Sequence, residues 1–151
     1  MLANYERVPQ NLIQAVVAAN ASGIMCSYNA VNGEPMCTNK DLIQDRLRDD
    51  FGFSGVVATD CGALNDASAH HHRYKNNEDV VTAAIRAGVD SNCGSTYTSA
   101  IPSAMDPSSA NFTGLKEFEL DPSVKRLLLT RFKLGLFDEQ NENASIPTFS
   151  L

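Results

Sequence analysis

Three apolar runs recur along this chain at nearly one interval. They begin at Ile24 (Ile-Met-Cys-Ser), Val56 (Val-Val-Ala-Thr) and Val89 (Val-Asp-Ser-Asn), and their starts lie 32 and 33 residues apart. Each of the first two is followed by a helix-patterned stretch that ends just before the next run. About 30 residues is the size of one βα repeat in a parallel sheet, so the period predicts an α/β chain of about three βα units. Two architectures are built from such units: a doubly wound sheet, and an eight-stranded (β/α)8 barrel. Eight units need roughly 250 residues and the chain has 151, so a barrel reading makes it an incomplete one.

The helices carry readable ends. Residues Val8 to Ala21 place Leu12, Ile13, Val16 and Val17 on one stripe. A second helix starts at Thr38, with Asp41 three residues on in a capping-box arrangement, and runs through Leu42, Ile43 and Leu47 to Gly52. A third starts near Asn77, has Glu78 and Asp79 in its first turn, and stops at Gly88. A last helix takes Asp121 as cap and Pro122 as first residue, continues through Val124, Leu127, Leu128 and Phe132, and ends at Gly135. Gly94 to Leu120 reads as a loop with one short helix. The expected domain is 1–138, followed by a polar linker, 139–151.

Composition narrows the function classes. Hydrophobic residues make up 43% and charged residues 20%, which suits a globular protein. No run of about 18 apolar residues is present, so a membrane span is not expected. Lys and Arg number 12 against 18 Asp and Glu, a net charge of -6, which disfavours a nucleic-acid partner. Four cysteines and three sequons, at Asn20, Asn111 and Asn143, lean toward an extracellular or secretory setting. The first residues lack the basic and apolar regions of a signal peptide. Either the chain stays inside the cell, or its true N-terminus lies upstream.

In both architectures ligands bind at the C-terminal ends of the strands. The first run delivers Ser27-Tyr28-Asn29 and a turn around Asn32, Gly33 and Glu34. The second delivers Thr59-Asp60-Cys61-Gly62. The third delivers Asp90, Asn92, Cys93 and Gly94. Hydroxyl, amide and carboxylate groups suit a polyhydroxylated ligand, and no glycine-rich phosphate loop follows any run; no cofactor is expected. Asp60, at the mouth of an apolar strand, is placed either to attack a sugar anomeric carbon or simply to cap a turn. Asp90 reads as a structural residue bonding neighbouring strand ends, and Glu34 as a solvated turn residue. Three adjacent histidines, His70 to His72, cannot all face one ion, so the expectation is a solvated loop and no metal. Cys61 and Cys93 follow the ends of neighbouring parallel strands about 4.8 Å apart, a separation that suits a disulfide. Cys26 and Cys37 flank the Asn32-Gly33 loop and form the other candidate pair, although strand alternation turns Cys26 inward.

The wording of these segments sharpens the reading. Met25-Cys26-Ser27-Tyr28-Asn29-Ala30-Val31-Asn32-Gly33 resembles the SYN-x-x-NG segment of family 3 glycoside hydrolases. Leu47 to Asp60 is similar to the family's nucleophile segment, LR-x-x-WGF-x-G-x-VVSD, with Phe51 for Trp and Thr59 for Ser. Ala84 to Asp90 resembles the following A-x-x-AG-x-D unit, and Arg131 to Asp138 the RF-x-LGLFD stretch that closes the barrel domain. The resemblance covers nearly the whole chain. It implies the C-terminal part of a TIM barrel, a retaining O-glycosyl hydrolase chemistry, Asp60 as nucleophile and Tyr28 beside it in the sugar subsite. Cys61 stands where many β-glucosidase-like members carry Trp. With Cys26 and Cys93 it resembles the β-xylosidase/α-L-arabinofuranosidase branch, which implies a xylo-oligosaccharide or arabinoside substrate. The alternatives are a β-glucosidase of the same family and a vestigial sugar-binding module. In the family the acid/base comes from a separate C-terminal domain and other sugar contacts from upstream strands. The chain is therefore expected to be a fragment that is inactive alone.

Overall fold

The computed structural model describes residues 16–138. Residues 16–18 are helical and precede strand β1 (Gly23–Cys26). A two-residue hairpin follows, β2 (Ala30–Val31) and β3 (Glu34–Pro35), then a short turn of helix at Met36–Thr38. Helix α1 spans Asp41–Asp50, strand β4 Val56–Thr59, and helix α2 Ala63–Ala69. Helices α3 (Asn77–Arg86), α4 (Thr96–Met105) and α5 (Glu117–Lys133) complete the order. Most of the helix expected over Val8 to Ala21, and the linker expected over 139–151, lie outside the described residues.

The architecture is mixed α/β. β1 and β4 pair in parallel, with Gly23 opposite Val56 and Cys26 opposite Thr59. The third apolar run departs from expectation. It makes a single parallel bridge, Ser91 to Ala58, on the far side of β4. Asp90 N–H and Ser91 N–H both turn to the Val57 carbonyl, at 2.8 and 3.3 Å, and this doubled donation shortens the ladder. Nor do the described residues cover the sheet on both faces, as three βα units would require. Val57 packs with Ile43, Leu47, Leu64, Val80 and Val89, whereas Met25, on the other face, is 61% exposed. Among the described residues the strands do not close into a barrel.

Two helix starts also move. Thr38 does not cap α1, because its hydroxyl donates to Glu34 and to the Pro35 carbonyl. Asn39 Oδ1 takes the Leu42 N–H instead, at 3.1 Å. α1 winds as a π-helix, and the wider i→i+5 winding turns Arg48 inward together with Ile43 and Leu47. α5 begins at Glu117 and holds Pro122 inside it. Glu119 reaches back to the Lys116 N–H at 2.8 Å, which starts the helix before Asp121. The short helix expected between Gly94 and Leu120 is α4, whose Tyr97 N–H donates to Asn92 Oδ1 at 3.2 Å.

A buried charge cluster joins these elements. The Asp90 side chain is fully buried and accepts from Val57 N–H (2.9 Å), Arg48 Nη2 (2.8 Å) and Arg126 Nε (2.8 Å). Arg48, with a side chain only 5% exposed, also donates to the Gly88 and Gly55 carbonyls. Burial pulls its pKa down and the Asp90 carboxylate opposes that shift. Gly88 permits this approach: at φ +87° its missing Cβ would lie 2.8 Å from Arg48 Nε. Asp90 is thus a structural residue, as the strand-end pattern suggested.

Glu34 is not the solvated turn residue expected. Its carboxylate accepts from Thr38 Oγ1 (2.9 Å), Arg73 Nε (2.8 Å) and the Tyr74 hydroxyl. It thereby ties the β2–β3 hairpin to the loop between α2 and α3. Burial alone would push this carboxyl's pKa up, but the bonds from Tyr74, Arg73 and Thr38 outweigh it and hold the pKa below its ordinary value. Burial and Glu34 push the Tyr74 hydroxyl up to about 12.

Two predictions follow from this packing. α5 leaves Val124, Leu128, Leu129 and Phe132 exposed in one stripe, so the isolated chain should self-associate with rising concentration, and Leu128→Lys with Phe132→Lys should suppress this in light scattering. In that double variant, Asp90→Asn should cost about 3–5 kcal/mol in urea unfolding, since it removes one partner of a buried ion pair. The second prediction concerns pH. The depressed pKa of Glu34 contributes stability above the unfolded glutamate value of about 4.3, and this is lost as pH falls through the lower folded value. Stability measured downward from about pH 5 should therefore fall more steeply for the parent than for Glu34→Gln, and superimposable slopes would contradict the clamp.

Candidate active site

Asp60 follows the last residue of β4. Its own N–H continues the ladder to the Cys26 carbonyl at 3.0 Å, while Thr59 N–H pairs with Ser91 on the other side at 2.9 Å. The backbone is thus held from both flanks at the residue where the strand ends. Alternation along β4 puts Asp60 on the face of Ala58, away from the helix-covered face of Val57. The chain then turns at Gly62, where φ is +84°, into α2. Glycine adopts this left-handed conformation at no steric cost.

The Asp60 carboxylate is half-exposed. Its Oδ1 accepts from the Cys61 N–H at 2.7 Å, and among the described residues Oδ2 accepts no hydrogen bond. One oxygen is steered and the other is free to meet a ligand. Tyr28, 43% exposed, donates its hydroxyl to the Cys61 carbonyl. The structure therefore brings Tyr28 and Asp60 to one strand-end cluster, linked through Cys61.

The cysteines surround the same point. Cys61 and Cys93 are disulfide-bonded, with Cα atoms 4.3 Å apart, and Gly62 N–H donates to the Cys93 carbonyl at 2.9 Å. Thr59 Oγ1 accepts from Cys93 N–H at 3.0 Å and from Asn92 Nδ2 at 3.2 Å. Cys26 and Cys37 form a second disulfide with Cα atoms 5.3 Å apart, and both residues are buried. It anchors the segment that carries Tyr28.

Some contacts escaped the sequence reading. His71 Nε2 lies 2.7 Å from the Tyr28 carbonyl oxygen, so the histidine run is partly engaged. His70 Nδ1 pairs with Asp66. Arg48 and Arg126 were also missed as partners of Asp90. The available signal for Arg48 was its place beside Leu47 on an otherwise apolar helix face. Among the described residues, no group of three or more His, Cys, Asp or Glu is placed to hold a metal ion.

Two hollows among the described residues lie away from Asp60. One of about 390 Å³ is lined by Val31, Glu34, Asn39 and Lys40, and another of about 470 Å³ by Tyr74, Asp79, Thr82 and Arg86. The residues gathered around Asp60 present a carboxylate oxygen beside the Tyr28 side chain and several polar backbone groups.

Comparison with known proteins places the chain. The glycosyl hydrolase family 3 N terminal domain matches residues 7–129. The "Probable exo-1,4-beta-xylosidase xlnD" of Aspergillus terreus is 39% identical over 145 residues, 94% of this chain and 17% of the relative. The "Probable beta-D-xylosidase 6" of Arabidopsis thaliana is 39% identical over 118 residues, 78% of this chain and 14% of the relative. Among solved structures, a GH3 exo-beta-xylosidase (XlnD) in complex with a xylobiose aziridine activity-based probe superposes with a TM-score of 0.77 at 33% identity. The match covers 86% of this chain and 16% of that one. A beta-glucosidase from Listeria innocua in complex with glucose gives 0.74 at 30% identity, covering 83% and 17%. The chain spans less than a fifth of the length of these relatives. With Asp60 at the strand end, and the match running through both flanking strands, the chain belongs to glycosyl hydrolase family 3, in its N-terminal domain.

Proposed function

We propose that this segment supplies the nucleophile half of a retaining β-xylosidase-like glycoside hydrolase, built as part of a TIM barrel. The observation that carries the proposal is the free Oδ2 of Asp60 beside Tyr28 at the C-terminal strand end. Asp60 Oδ2 attacks the anomeric carbon, and the bond from that carbon to the leaving-group oxygen breaks. That oxygen takes a proton from an acid residue, and water then cleaves the glycosyl ester with the same residue acting as base. The Cys61 N–H on Oδ1 orients the carboxylate, and Tyr28 packs beside the sugar.

Retaining chemistry needs a second carboxyl group about 5 Å from the first. The acidic residues near the site are otherwise engaged. Asp66 pairs with His70, Asp90 with two arginines, and Glu34 with Arg73 and Tyr74. The family resemblance assigns the acid/base to a C-terminal domain outside these residues, and the isolated chain is expected to give no turnover. The two disulfides favour an extracellular or secretory setting. The xyloside preference rests on the xylosidase relatives. A β-glucosidase reading of the same chemistry is favoured by the Listeria innocua likeness.

The test is a chimera in which residues 7–129 replace their equivalent in the Aspergillus terreus relative. Asp60→Ala should lower kcat on an aryl xyloside by orders of magnitude while ligand affinity changes little. Tyr28→Phe should weaken transition-state binding by about 1–3 kcal/mol. A chimera whose kcat survives Asp60→Ala would overturn the assignment. An aryl glucoside outpacing the xyloside in kcat/KM would move the reading to the β-glucosidase.

A further inference from the structure

The sequon Asn111-Phe112-Thr113 has no part in the site described above. It lies between α4 and α5, in a loop made of two successive turns. Ser109 N–H donates to the Asp106 carbonyl at 3.0 Å, and Phe112 N–H to the Ser109 carbonyl at 3.2 Å. Asn111 is exposed. Its backbone N–H is taken by Ser109 Oγ at 3.1 Å, and its Oδ1 lies 3.5 Å from Asn76 Nδ2. Among the described residues its Nδ2 donates to nothing. The amide nitrogen that a sugar would occupy is therefore open to solvent.

The third residue of the sequon behaves differently. Thr113 is only partly exposed. Its hydroxyl lies 2.6 Å from Thr82 Oγ1 and 3.3 Å from the Ala104 carbonyl, and its N–H donates to the same carbonyl at 3.1 Å. In the folded chain this hydroxyl is fastened between α3 and α4 and is not free to take part in recognition of the acceptor peptide. A transferase would thus have to act on the nascent chain, before the loop docks. The folded chain can carry the product, since Asn111 is exposed and among the described residues its Nδ2 makes no hydrogen bond.

We propose that Asn111 is an N-glycosylation site, modified during synthesis. Asn111 Nδ2 forms a bond to the anomeric carbon of an oligosaccharide carried on a lipid pyrophosphate. The bond from that carbon to the pyrophosphate oxygen breaks, the lipid pyrophosphate leaves, and the amide gives up one proton. The inference rests on the secretory setting proposed above. Both disulfides and the sequon call for the same oxidising compartment, and neither depends on Asp60 being the nucleophile.

The test is to express the full chain behind an endoplasmic-reticulum leader in a eukaryotic host. The product is digested without reduction and treated with peptide N-glycosidase in 18O-water, which converts a glycosylated asparagine to labelled aspartate. The expected result is labelled aspartate at 111 in more than half of the peptide copies, and loss of that glycan in both Asn111→Gln and Thr113→Val. Because the transfer precedes docking of the loop, a variant that fails to fold still reports on occupancy. Half or fewer of the copies labelled would overturn the proposal. The same digest reads the cysteines: a glycan at Asn111 with four free thiols would support the site and count against the disulfide-based secretory reading alone.

Discussion

The Asp90 carboxylate is the constraint on which the other placements depend. A fully buried carboxylate is costly unless every lone pair is engaged and its charge balanced. Here Arg48 comes from α1, Arg126 from α5 and the Val57 N–H from β4. Three elements far apart in sequence are thereby held at one point. Arg126 retains some solvent contact, with its side chain 18% exposed, which lessens the cost of bringing two cations to one anion. Arg48 spreads its remaining donors over the Gly88, Gly55 and Phe53 carbonyls. No buried side-chain nitrogen or oxygen among the described residues lacks a partner.

From that anchor the site follows in a few covalent steps. Val57 is held by Asp90, Thr59 by Ser91 and Asn92, and Asp60 by Cys26. The nucleophile candidate is therefore positioned by backbone ladder bonds on both flanks, and its side chain by the Cys61 N–H on Oδ1 alone among the described residues. That arrangement leaves Oδ2 free, which a nucleophile needs and a purely structural carboxylate such as Asp90 does not show. The Glu34 clamp and the His71 contact to the Tyr28 carbonyl act on the other wall. They hold the hairpin segment bearing Tyr28 against the loop that follows α2.

Much of this was legible in the residues. The 32- and 33-residue spacing located β1, β4 and the third run, and the acidic first turn at Glu78 and Asp79 marked the start of α3, which Asn76 Oδ1 caps by accepting from Asp79 N–H. Strand-end logic put Asp60 forward and the family resemblance implied Tyr28 beside it, and the structure brings the two together through Cys61. What was not legible depended on long-range partners. A glutamate in a Gly-containing turn carries no local sign that Arg73 and Tyr74, about 40 residues on, will fold back on it. The start of α5 was misread because Asp121-Pro122 is a strong local signal, and the Glu119 contact to Lys116 N–H outweighed it. The π winding of α1 left no trace in periodicity, since Ile43 and Leu47 suit an ordinary helix equally well. The third run is shortened where the Asp90 and Ser91 N–H groups both turn to the Val57 carbonyl, a tertiary effect on a segment that reads locally as a strand.

The central claim is that Asp60 forms the covalent bond to the sugar, and labelling tests it most directly. A 2-deoxy-2-fluoroxyloside with an activated leaving group forms the glycosyl ester without help from an acid, and the fluorine slows its hydrolysis. Applied to the chimeric enzyme carrying residues 7–129, the reagent should add one fluorosugar to the peptide containing Thr59-Asp60-Cys61, and Asp60→Asn should abolish the adduct. An adduct mapped to any other carboxylate, or one that persists in Asp60→Asn, would contradict the account.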